Sequence, residues 1–480
     1  MRFRPVELDN PAPTSTARRG IFSLATIGLQ GGTRFASNWL IGLLAGKAVF
    51  GLVANATALA FLLNTAWPSS TQGAASKFIA RARGKGDPDE VAAVARHVGV
   101  RVLQAIGVLA VAAPVVWHLM YGRPAWEGIC VSAMVVAVAA SQFARGVHFG
   151  AGQVARGTKV DLVTSVIGVG ATGILLALGV RNILLTLPLT IAMTCYALLC
   201  WPWTARGKPA ADLRAEIDKF VTFAALGSIA SAGMLQLSQL IAGGLSTELA
   251  GEYAPALQLV TPLSIIAGAL TLVLFPSMAE AQGAGDLDRL RRTTDLATRG
   301  FAAVLIPVFG ALAIAARPVM ELVWVGRYPE SAHLMPAFCL ALLVQNVAAP
   351  AVGSITSGPH RHMWYPLTLS WVGLAVAVAG WAVAVPQWGL LGVAGGYAAG
   401  ALTTAFALLV VAWRINGQRW VDLVVYLALG AVSIAGLSWW RQTQPVNHVL
   451  DVAVAVGFAL VAVVPGLPTL RSLAGRRRSA

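Results

Sequence analysis

Arg34 is the residue whose type and position most demand a chemical explanation. It falls in the middle of an apolar run over residues 20–46. A guanidinium at that depth in a bilayer costs roughly 2.5–3.5 kcal/mol on insertion scales and is expected to face a cavity or a partner. Gln30, Arg34 and Asn38 recur at i, i+4 and i+8, which puts them on one face of a helix. Gly31 and Gly32 lie between them and would let a neighbouring helix or a ligand approach closely. A positive, hydrogen-bonding stripe in a dry helix bundle suits a pyrophosphate group, because arginine presents planar paired donors to phosphate oxygens. The competing reading is that Arg34 bonds to the carbonyls of a broken helix.

Further polar residues lie in later apolar runs: Gln236 and Gln239 in the seventh, Gln258 in the eighth, Gln345 and Asn346 in the tenth, with Asn55 and Asn64 weaker candidates in the second. They are expected either to line a path that hydrogen-bonds sugars or to join helices to one another. Pro188, Pro262, Pro307 and Pro336 are expected to kink the runs that hold them. No carboxylate falls clearly in mid-run; Asp161, Glu321, Asp422 and Asp451 are placed at run ends. A proton- or sodium-driven exporter of cations would want one deeper. The four cysteines sit inside apolar runs and read as small buried hydrophobes. His360 and His362, flanking Arg361, read as a solvated basic turn rather than a metal pair. No glycine loop of the phosphate-cradling type is present, so ATP hydrolysis is not expected, and neither a cofactor nor a metal is called for.

The elements that must position these groups follow from composition. Of 480 residues 57% are hydrophobic and 11% charged, against roughly 25% charged in a soluble domain. With a mean hydropathy of +0.71, the chain is expected to be an all-α membrane protein, since only backbones with closed hydrogen bonding tolerate lipid. Runs of about twenty apolar residues place spans near 20–46, 48–68, 94–119, 126–147, 159–180, 182–203, 219–244, 251–275, 298–316, 332–356, 362–384, 389–413, 420–440 and 447–467. No cleavable leader is expected, because the polar, basic stretch through Arg19 runs into an apolar segment without a small-residue cleavage site.

Lysine and arginine set the orientation. With the amino terminus inside, the cytoplasmic segments hold most of the 35 basic residues, among them Arg81, Lys85, Arg101, Arg145, Arg289, Arg299 and the run Arg476–Arg478. The outer side holds only Lys47, Arg123, Arg181, Arg317, Arg327 and Arg441. A plasma (inner) membrane protein with both termini cytoplasmic is expected. The net charge of +15 is then directed at anionic lipid headgroups and not at nucleic acid. Trp67, Trp117, Trp126, Trp201, Trp203, Trp324, Trp388, Trp413, Trp420, Trp439 and Trp440 fall at span ends, where an indole suits the interface.

The chain also repeats itself. Gly84-Lys85-Gly86-Asp87-Pro88-Asp89 recurs as Gly283-Ala284-Gly285-Asp286-Leu287-Asp288, 199 residues on. Gly51 aligns with Gly251 and Gly122-Arg123 with Gly326-Arg327, at offsets of 200 and 204. In each copy an aspartate, Asp87 or Asp286, can cap a helix that runs into the next span. Six spans separate the copies, so they share an orientation. The expected architecture is about 14 transmembrane helices: two parallel six-helix bundles related by a pseudo-twofold axis, a design in which a substrate path runs between the bundles, plus a carboxy-terminal helix pair. The domains are expected at 1–204 and 219–416, with a linker over 205–218 and the helix pair and basic tail over 417–480.

At this point a resemblance becomes visible. Leu44-Ala45-Gly46 and Phe50-Gly51, followed by Phe78 to Asp87, resemble the opening helices and first inner turn of the polysaccharide-flippase branch of the multidrug/oligosaccharidyl-lipid/polysaccharide exporter superfamily. Gly251-Glu252-Tyr253-Ala254, Leu274 to Ala279, Ala315 to Met320 and Trp324 to Tyr328 are similar to that family's seventh-to-tenth-helix region. The resemblance covers roughly residues 20–415. It implies a transporter, not an enzyme, that moves a polyprenyl-pyrophosphate-linked oligosaccharide from the inner to the outer leaflet by alternating access. Its expected partners are that substrate, membrane lipids, and a polysaccharide polymerase and glycosyltransferases. Arg34 also resembles an arginine in the first helix of lipid II flippases, whose further arginines in helices two and eight are missing here. That departure places an oligosaccharide-lipid of another pathway ahead of a peptidoglycan precursor. Two other readings are weighed against it. An ion-coupled multidrug exporter lacks its mid-membrane carboxylate, and a polyprenyl-dependent glycosyltransferase lacks a sizeable acidic outer loop.

Overall fold

The computed structural model describes the backbone of residues 16–357, 360–469 and 471, and their side chains except at 16–24, 27, 265–277, 279, 280, 283, 360 and 361. Readings placed on Arg2, Arg4, Arg476–Arg478 and the side chains of Arg18, Arg19, Glu280 and Arg361 lie outside the described residues. Every regular element among those described is helical, as lipid immersion requires.

Contacts divide the chain into a unit of Met1–Gly251 and a unit of Glu252–Ala480. The first holds α1 (Thr16–Leu44), α2 (Lys47–Thr65), α3 (Pro68–Gly84), α4 (Pro88–Tyr121), α5 (Ala125–Gly150), α6 (Val154–Ala177), α7 (Leu187–Cys200) and α8 (Ala211–Leu245). Helix α9 (Thr247–Gly283) leads into the second, followed by α10 (Leu287–Ile314), α11 (Ala316–Trp324), α12 (Pro329–Thr356), α13 (Trp364–Asn416), α14 (Val421–Thr443) and α15 (His448–Val463).

Eleven described helices are long and apolar enough to cross a membrane. One of them, α13, is two spans joined at Gly389, whose φ of 52° and ψ of −123° interrupt its 53 residues. Such a backbone is open to glycine and strained for other residues. Helices α1 and α9, of 29 and 37 residues, exceed the roughly twenty that a bilayer requires. The helix count is therefore consistent with the about 14 spans expected from the sequence. Two short helices, α3 and α11, were not anticipated as separate elements. Pro68 starts α3 in the first turn, where its missing N–H has no intrahelical partner to lose.

The two repeat turns are built alike. Gly86 and Gly285 take φ of 72° and 71°, so a left-handed residue ends the preceding helix in each copy. Asp87 then accepts the Glu90 N–H at 2.9 Å, and Asp286 accepts the Arg289 N–H at 2.8 Å. Asp87→Ala is expected to lower stability by about 1 kcal/mol, read as a small fall in the melting temperature of the purified protein, with Asp87→Ser close to wild type. Gly51 brings α2 against the start of α9: a Cβ there would sit 1.8 Å from the Thr247 carbonyl oxygen.

Two expectations are corrected. Pro188 lies in the first turn of α7 and so caps a start rather than kinking a span. Trp117, Trp324 and Trp420 are buried, so they are packing residues and not lipid anchors. The Trp117 indole donates to Glu127 and that of Trp420 to Asp295, at 3.3 and 2.8 Å, which satisfies the polar edge that burial would otherwise strand. Trp126, Trp203, Trp388 and Trp439 are exposed, as an anchoring indole must be.

Within the second unit the helix pair α14–α15 is fixed at both ends. At one end Arg299 of α10 donates to Asp422 and to the Arg419 carbonyl, and Gln418 donates to the Arg291 carbonyl. At the other, Arg317 of α11 donates to the carbonyls of Arg441, Gln442 and Gln444, and Gln442 donates to the Ala332 carbonyl. Between these clamps Gly430 packs on Ile306.

Candidate functional site

Helix α1 packs against α6 and α2. Its first half is tied to α6 by the Thr26 and Thr158 hydroxyls, 2.6 Å apart. About two turns on, Arg34 is half-buried and turns toward α2, where its guanidinium lies 4.3 Å from the centroid of the Phe61 ring. No carboxylate among the described residues forms an ion pair with it. The electron-rich ring face therefore serves as its partner, worth about 0.5–2 kcal/mol, while the guanidinium N–H groups keep donor capacity. Gln30 is half-buried on the same face and Asn38 is buried. Gly28 and Gly32 border open space, a Cβ on either meeting no atom within 4 Å, but they lie roughly 120–160° round the helix from Gln30 and Arg34. The stripe expected from the spacing is thus assembled on one face of α1.

The other site candidates divide. Gln239 is buried in a joint between α8 and α2, its amide donating to the Asn55 side chain at 3.1 Å and to the Ala250 carbonyl at 3.2 Å. Asn55 is itself pressed onto Gly243. These residues hold helices together, as does Asn64, which donates to the Ala60 and Val135 carbonyls. Gln236, one turn from Gln239, is half-buried. In the second unit Gln258 of α9 is half-buried, with its side-chain oxygen lacking a hydrogen-bond partner. Asn346 joins α12 to α9 through Ser264 at 2.9 Å.

Sequence reasoning overlooked one polar cluster. Arg145 of α5, read as a cytoplasmic charge, is buried and donates to Asp161 of α6 at 2.9 Å, both side chains being about 5% exposed or less. Ser141 accepts a second Arg145 bond at 3.2 Å, and the Tyr196 ring of α7 lies 4.6 Å from the guanidinium. His148, one turn further along α5, is buried and bonds the Ala144 carbonyl. Arg145 Nε, Asp161 Oδ2 and His148 Nε2 carry no hydrogen bond. Arg145 stands five residues before the turn at 150–153 and Asp161 eight after it, so it is packing, not spacing, that brings the two charges together. A similar buried pair, Arg441 with Asp451 at 2.6 Å, joins α14 to α15.

With the fold and these groups in place, the chain can be set beside known proteins. Residues 50–333 match the model of a family described as polysaccharide biosynthesis protein. The chain belongs to that family. Several solved structures share the fold of this chain at low identity. A lipid II flippase MurJ in an inward closed conformation aligns with a TM-score of 0.68 and 11% identity, over 94% of this chain and 99% of that one. An inward-facing multidrug resistance MATE family transporter of the MOP superfamily aligns at 0.63 and 14%, over 89% and 100%. A MOP superfamily transporter from Pyrococcus furiosus aligns at 0.61 and 15%, over 90% and 97%. No functionally curated protein matches in sequence. This family member is a multi-pass membrane protein with the fold of transporters and flippases.

Proposed function

We propose that this protein flips a polyprenyl-pyrophosphate-linked oligosaccharide from the inner to the outer leaflet of the plasma membrane, for cell-surface polysaccharide biosynthesis, by alternating access. The moving bodies in this reading are residues 1–204 and 219–416, joined by 205–218, with both termini cytoplasmic. One observation carries it: Arg34 sits within a span on a polar helix face, held by an aromatic ring and by no carboxylate among the described residues. A diphosphate can displace a ring from a guanidinium, because a paired, charge-assisted contact outweighs a cation–π contact. Gln30 and Asn38 would add neutral donors and acceptors to the same group, with Gln236 and Gln258 offered to the glycan. Gln239 would act through its helix joint. A polymerase and glycosyltransferases would be neighbours acting before and after the flip.

The family match to polysaccharide biosynthesis supports this reading over a drug exporter. The two buried aspartates among the described residues, Asp161 and Asp451, are both neutralised by arginines and so are poor receivers for an organic cation. The test is reconstitution into liposomes with a fluorescent polyprenyl-pyrophosphate oligosaccharide, following its exposure on the opposite leaflet. Protein-dependent exposure is the expected result. Export of organic cations with no movement of any oligosaccharide lipid would overturn the proposal in favour of the drug exporter.

A further inference from the structure

A second ligand site is written into the first unit, away from Arg34. Where α8 starts, Asp218 accepts from Arg101 of α4 at 2.6 Å and lies 3.0 Å from the His97 ring nitrogen. Arg101 and Asp218 border a cavity of about 340 Å³, lined also by Trp67, Gln104, Ala105, Val108 and Thr222. The cavity therefore pairs one cation with one anion at its polar end. Neither is saturated. Arg101 uses one N–H on Asp218 and one on Gln104, leaving three of its five donors. Asp218 receives two bonds, about half of what a carboxylate accepts.

The cavity's other wall is apolar and continues out of it. Gln104, Val108, Val111 and Val115 follow one another at helical spacing along α4, and the three valines are 70%, 72% and 55% exposed. In a membrane protein such a row meets acyl chains. A polar end holding both charges, opening onto a lipid-facing apolar row at the basic end of α4, has the order of groups found in a phospholipid.

We infer that this groove between α4 and α8 binds a phospholipid with a phosphoethanolamine headgroup, its phosphate on Arg101 and its ammonium on Asp218. The choice of headgroup follows from the charges. A phosphatidylglycerol phosphate would gain Arg101 but bring no cation to Asp218. A choline headgroup has a cation without N–H donors and could not hydrogen-bond the carboxylate. Only a primary amine completes both halves. Gln104 and Thr222 flank the headgroup, and the acyl chains follow Val108 to Val115. This inference stands independently of what the protein transports.

The experiment is native mass spectrometry of the purified, delipidated full-length protein, offered equal amounts of phosphatidylethanolamine, phosphatidylcholine and phosphatidylglycerol with identical acyl chains. One phosphatidylethanolamine is expected to be retained with about ten-fold preference, the size of one charge-assisted hydrogen bond. Asp218→Asn is expected to bring phosphatidylethanolamine and phosphatidylcholine to parity. Ala105→Trp, which puts an indole into the groove one turn from Arg101, is expected to abolish the retained lipid while the protein still elutes as the wild type does. Equal retention of the three lipids, a preference for phosphatidylglycerol, or retention undiminished in Ala105→Trp would each overturn the site. Displacement of phosphatidylethanolamine by an equal amount of polyprenyl phosphate would also overturn it, by assigning the groove to the substrate's own path.

Discussion

Arg34→Ala is expected to reduce oligosaccharide-lipid flipping by about a hundred-fold or more while leaving the protein inserted and monodisperse. The size follows from desolvation. A guanidinium paired with phosphate away from water typically costs about 2–5 kcal/mol when truncated, because the phosphate is left buried and unmatched. Each 1.4 kcal/mol is a factor of ten. Stability should not fall with activity, since Arg34 has no carboxylate partner among the described residues to be stranded. Removing a costly intramembrane charge favours the folded protein slightly. Arg34→Lys should recover only part of the activity, a point charge lacking the planar pair of donors. Phe61→Leu separates positioning from binding: without the ring 4.3 Å away the guanidinium is less ordered, and a loss of a few-fold is expected. The assay is the liposome measurement above, with melting temperature recorded in parallel. Full activity in Arg34→Ala would remove the residue from substrate recognition.

Asp161→Ala should show the opposite pattern, a loss of stability of about 3–5 kcal/mol, because it strands the Arg145 charge in a buried setting. The control is the double replacement Arg145→Met with Asp161→Leu. Apolar substitutes for a whole buried pair are commonly neutral or stabilising, so the double variant is expected to melt near the wild type. Thermal unfolding in one detergent resolves the two. A single variant as stable as the double would mean that solvent reaches Arg145, against its 5% exposure.

The contrast between these two arginines shows what was legible in the sequence. Arg34 could be found because it stands near the middle of the apolar run over 20–46, so its depth follows from length alone. Arg145 could not, because it lies near a turn, and loop-by-loop counting assigns every charge near a turn to water. Whether such a side chain faces water or a neighbouring helix is a property of packing, set here by Asp161, Ser141 and Tyr196 from three helices. The same limit explains the tryptophans. Trp117 and Trp439 both stand near span ends, yet one is buried against Glu127 and the other is exposed. The repeat was legible for the converse reason. A left-handed glycine followed by a capping aspartate is a local requirement of the backbone, so Gly86-Asp87 and Gly285-Asp286 record it in the sequence itself. Gln239 is intermediate: its polarity marked it, but only packing shows that Asn55 takes up its amide.

The clamps on α14 and α15 make that pair a passenger. Because Arg299 and Arg317 bolt it to α10 and α11 at both of its ends, it has no freedom to turn separately from them. A reporter dye at Val449, which is 82% exposed, would therefore track the second unit as a flag tracks its mast. Time-resolved distances from that flag to a fixed point would give the cycle its clock without a label anywhere near the substrate.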